Sequence, residues 1–82
     1  MIYLIQYHRE PGRLLSFEAF PASDRQGAEE ARLRMETRNL MLKKSYEVVL
    51  IEAKNEGELR KTHRRYFETL EQLINHSPAI VR

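Results

Sequence analysis

With 82 residues and no cysteine, the chain has room for one modest hydrophobic core and can form neither a disulfide framework nor a thiolate metal site. Its 14 basic and 12 acidic side chains are interspersed, so the net charge of +2 offers no whole-chain argument for a polyanionic partner. The opening apolar run of "MIYLIQYHRE" is only about five residues long, too short for a signal-peptide core or a membrane span, and the expectation is one cytoplasmic domain over residues 1–82 with no membrane association.

Residues 2–8, "IYLIQYH", are β-branched and aromatic and stop before a Pro-Gly pair, which predicts a first strand. "EPGR" at 10–13 has the chemistry of a type II turn, or of a type I turn followed by a left-handed glycine. "RLLSFEAFP" predicts a second strand with Leu15, Phe17 and Ala19 on one face and Leu14, Ser16, Glu18 and Phe20 on the other, a mixture suited to an edge. "SDRQ" at 23–26 fits a capping box with Ser23 as the cap, opening a helix that reaches about residue 42. "YEVVLIEA" at 46–53 predicts a third strand. "NEGE" at 55–58 places Asn55 at the N-cap of a second helix running to Ile74, where "NHSP" supplies a stop and a frayed end.

The order β-β-α-β-α predicts an α+β fold. The first strand is apolar on both faces, with Ile2 and Leu4 on one and Tyr3, Ile5 and Tyr7 on the other, as a central strand should be. The expected sheet is therefore antiparallel in order 2-1-3, in preference to a mixed sheet with the third strand beside the second, and both helices are expected on one face.

"LRKTHRRYF" at 59–67 raises three functional possibilities. On one continuous helix, Leu59, Thr62, His63, Tyr66, Phe67, Leu70, Leu73 and Ile74 share one side, and Arg60, Lys61, Arg64 and Arg65 the other. Those four cations are a candidate nucleic-acid contact. Against it, Glu56, Glu58, Glu68 and Glu71 balance their charge, and the aromatic rings face the apolar side instead of interleaving with the cations. The favoured reading is a solvated helix face with His63 tucked toward the sheet. The rival is a ligand pocket or small active site lined by Tyr3, Tyr7, His63 and Tyr66, with the imidazole as general base or pH-sensitive group. His8, His63 and His76 lack metal-ligand spacing and no glycine-rich loop follows a strand, so no metal, cofactor or catalytic residue is expected.

Two features point to self-association. Ala28, Ala31, Met35 and Leu42 share one side of the first helix while Leu33 and Leu40 project to nearly the opposite side. The third strand, an edge in the 2-1-3 order, is uncharged through Val48, Val49, Leu50 and Ile51, whereas exposed edges are normally guarded by charge, proline or a partner. Antiparallel pairing of this strand with its symmetry mate would remove the edge. Packing through a sheet face, by Ile2 and Leu4 or by Tyr3, Ile5 and Tyr7, is the competing mode. The functional expectation is a non-enzymatic homodimeric binding or interaction module that meets a further macromolecule or a small ligand.

Overall fold

The computed structural model describes residues 1–10 and 12–67. Strands β1 (Ile2–His8) and β2 (Arg13–Phe20) form an antiparallel hairpin. Gly12 closes it at φ 89°, donating its N–H to the His8 carbonyl at 2.9 Å. A Cβ at position 12 would also lie 3.2 Å from the Tyr7 hydroxyl. Gly12→Ala is therefore expected to destabilise the fold by more than about 1 kcal/mol, measured by denaturant unfolding.

Between Gln6 and Tyr7 the hairpin register slips: Gln6 faces Ser16 while Tyr7 faces Leu14. Leu15 is thus the extra residue of a β-bulge, and beyond it the alternation changes face. Leu14, not Leu15, packs with Phe17 against the core, and Leu15 is exposed. This corrects the face assignment expected from strict alternation.

Helix α1 (Arg25–Met41) follows a single 3₁₀ turn, Ala22–Asp24. The cap is Asp24 in place of the expected Ser23, its carboxylate accepting from the Gly27 N–H at 3.1 Å. An acidic cap gains from the helix dipole, and any Cβ at position 27 would collide with that carboxylate. A Schellman motif ends the helix: Lys43 takes φ 56°, its N–H donates to the Leu40 carbonyl, and the Lys44 N–H donates to the Asn39 carbonyl. Leu42, at the cap, leaves the helical wheel and is exposed.

Strand β3 (Glu47–Glu52) pairs antiparallel with the free side of β1, completing a three-stranded sheet in order β2-β1-β3. The α+β fold and strand order therefore match the sequence reading. The helices, however, do not share a face. Helix α1 covers the side carrying Ile2, Leu4 and Gln6: Ala28 and Ala31 are buried, Met35 reaches Ser16, and the buried Asn39 donates to the Gln6 side chain at 2.6 Å. The opposite side carries the core of Tyr3, Ile5 and Tyr7 with Leu59 and Tyr66 from the C-terminal segment. The cause lies in β1, whose two apolar faces each need a cover.

Helix α2 is short, Glu56–Thr62, capped by the Asn55 side chain accepting from the Glu58 N–H at 2.9 Å. It does not run on past Thr62: His63 adopts φ −129°, ψ 52°, and a 3₁₀ turn, Arg64–Tyr66, follows. Thr62 and His63 are weak helix formers, and the Thr62 hydroxyl turns back to the Glu58 carbonyl at 3.1 Å. The expected continuation to Ile74, with Glu68, Leu70, Glu71, Leu73 and His76, lies outside the described residues. No helix among the described residues is long and apolar enough to cross a membrane.

Candidate functional site

The break after Thr62 reorganises the basic stretch. Arg60 and Lys61 stay on α2, paired with Glu56 at 2.8 Å and Glu58 at 3.9 Å, while Arg64 and Arg65 belong to the 3₁₀ turn. The four cations do not form a single helical stripe. The Arg60 guanidinium lies 4.5 Å from the centre of the Phe67 ring, and that of Arg65 lies 4.7 Å from the Tyr66 ring.

Of the proposed pocket residues, Tyr7, His63 and Tyr66 are linked by ring contacts, and Tyr3 shares the core cluster of Tyr7 and Tyr66. Tyr7 meets Tyr66 edge to face at 5.1 Å, and the His63 ring lies near-parallel to Tyr66 at 6.4 Å. Tyr3 stacks on Phe17 at 5.5 Å. The three tyrosines are buried core members. His63 is half-buried at the end of α2, its Nδ1 2.8 Å from the Thr62 hydroxyl, so it sits at the core boundary and not fully inward.

The densest polar constellation centres on Glu47, which sequence reasoning did not single out. Its carboxylate accepts from Arg65 at 2.6 Å, the Tyr66 hydroxyl at 2.7 Å and Arg9 Nε at 3.3 Å. The side chain is 16% exposed. Burial pushes the carboxyl upward, but donation from Tyr66 and Arg9 and the charges of Arg65 and Arg9 outweigh it and hold it below the ordinary value. Burial, then the bond to Glu47, raises the Tyr66 hydroxyl. Both shifts lead away from proton transfer near neutrality, so this constellation is suited to tying the C-terminal turn to β3. Strand parity could have found it, since Glu47 lies opposite Tyr7 and shares its face.

The second region is the outer edge of β3. Ala53 donates its N–H to the Met1 carbonyl at 3.0 Å, and Met1 stands opposite Ala53 by extension of the Ile2↔Glu52 register. Hydrogen-bonded pairs alternate along an antiparallel ladder. Odd-numbered residues of β3 therefore bond to β1, and the N–H and C=O of Val48, Leu50 and Glu52 point away from it. Val48, Val49, Leu50 and Ile51 are all half-buried.

Beside this edge, α1 and β3 bound an open cleft of about 290 Å³ lined by Glu36, Asn39, Leu40, Lys44, Tyr46 and Val48. Leu40 is 78% exposed and Leu33 61%, as their position on the wheel predicted. The cleft depends on how the end of α1 docks over β3, which no local pattern encodes. Among the described residues no cluster of three or more His, Asp or Glu has the arrangement of a metal site. Compared with known proteins, the chain matches no family model, no curated protein and no solved structure.

Proposed function

We propose that the protein is a non-enzymatic interaction module that self-associates as a homodimer through the outer edge of β3, in the reducing cytoplasmic setting suited to a chain without cysteine. The observation that carries this reading is the edge itself, an uncharged Val48–Ile51 segment with alternate backbone groups directed outward. Its flanking carboxylates are both neutralised within the chain: Glu47 by Arg9 and Arg65, and Glu52 by Arg25 at 2.7 Å. Charges that would ordinarily repel a second strand are thereby muted. The opposite edge, β2, differs, carrying Arg13 and Glu18 and a bulge. Burial of β1 on both faces also favours edge pairing over the sheet-face mode.

Val48→Lys tests this reading. Val48 lines the open cleft, where a lysine stem can extend to water, so the fold should survive, as circular dichroism would check. Sedimentation is expected to show a dimer for the wild-type chain and association weakened about tenfold or more for the variant, the equivalent of about 1.4 kcal/mol. Equal association of the two proteins would overturn the proposal.

A further inference from the structure

We infer that the two-fold axis of this dimer passes through Val49, joining two copies into a continuous antiparallel sheet in the order β2-β1-β3-β3-β1-β2; the inference rests on self-association through β3. A two-fold perpendicular to a sheet keeps each face on its own side, and the outward-directed residues of one strand must meet those of the other. In β3 these are the even-numbered positions, so even must pair with even and the axis must fall on a residue.

Two centres use most of the strand. Centring on Leu50 sets each Glu52 opposite the other copy's Val48 and each Glu47 opposite Ala53, so both carboxylates of each strand, Glu52 held by Arg25, stand against apolar side chains. Centring on Val49 sets Val49 opposite Val49, Val48 opposite Leu50 twice and Ile51 opposite Glu47 twice, which leaves only the carboxylate already held by Arg9, Arg65 and Tyr66 against an apolar side chain. Glu52 then faces Tyr46, whose hydroxyl can donate to a carboxylate. No like charges stand opposite within the strand, which matters because directly opposed like charges destabilise a pair. The edge is therefore complementary to itself, and the occupant is a second copy of this chain.

The absence of native cysteine permits a direct test by single cysteine substitution in the full chain. In the Val49-centred sheet, Val49 meets its mate as a non-hydrogen-bonded pair with Cα atoms about 4.5 Å apart, within the disulfide range. Leu50 and its mate are offset by two positions, a separation of about 8 Å, and disulfides do not span more than about 7 Å. On mild oxidation V49C is expected to run at twice the chain mass on a non-reducing gel and L50C to stay single. Mixing V48C with L50C should give a mixed covalent pair. Covalent dimer from L50C with little from V49C would overturn the Val49 centre while leaving edge pairing intact. A wild-type chain that sediments as a dimer while none of these variants cross-links would overturn β3 pairing itself, and a wild-type monomer would remove self-association altogether.

Discussion

Leu59→Ala is expected to cost about 2 to 5 kcal/mol of folding stability, the range for emptying a closely packed leucine site. Leu59 is fully buried and is the residue through which α2 enters the core, beside Tyr3, Ile5, Tyr7 and Tyr66. A seven-residue helix is far below the length at which helices persist alone, about 12 to 15 residues, so α2 depends on that contact. Small domains have total stabilities of about 5 to 15 kcal/mol, and the loss is therefore a large fraction of the whole. Denaturant unfolding measures it, and near-ultraviolet dichroism of the tyrosines should weaken in parallel. Leu33→Ala, on the exposed side of α1, is the comparison and should shift stability by less than about 0.5 kcal/mol. Equal effects of the two substitutions would contradict the placement of α2 over the sheet.

Glu47→Ala is expected to rank next, at about 2 to 3 kcal/mol, because it leaves a buried tyrosine hydroxyl without its acceptor and two guanidinium groups without their counter-charge. Arg9 and Arg65 are largely exposed, which keeps the ionic share small. The constellation also gives stability a pH signature. The folded-state carboxyl titrates below its ordinary value, so its contribution is complete above the unfolded-state value of about 4.3 and is lost as pH falls through the lower folded-state value. Acid unfolding of the wild-type chain should include this loss, and Glu47→Gln should lack it. At the alkaline end, Tyr66 is raised in the folded state. Its contribution is present below about pH 10 and declines as pH rises toward the folded-state value. A Glu47→Gln protein with the same acid limb as the wild type would contradict the assignment.

The strand order was legible because β1 is apolar on both faces while β2 carries charge on one. That same feature also required a cover on each side of the sheet. Placing both helices together overlooked it, since helical periodicity reports which stripe of a helix is buried but not which side of a sheet receives it. The Asn55 cap was local and readable, whereas the shift from Ser23 to Asp24 depended on a 3₁₀ turn and on the space left by Gly27. The reading of "LRKTHRRYF" as one helical face failed at Thr62 because tertiary bonds from Tyr66 and Arg65 to Glu47 favour a tighter turn over continuation. Those bonds span 19 and 18 residues, beyond any window in which periodicity operates. The apolar edge of β3 was visible as a run of four residues. Which backbone groups it directs outward followed only from the ladder register.

Amide hydrogen exchange of the wild-type chain at several concentrations tests edge pairing most directly. The amides of Val49 and Ile51, bonded to β1, should be protected throughout, while that of Leu50, directed outward, should gain protection as concentration rises and the dimer fills. Fast exchange at Leu50 that stays constant across the series would contradict a second copy on this edge.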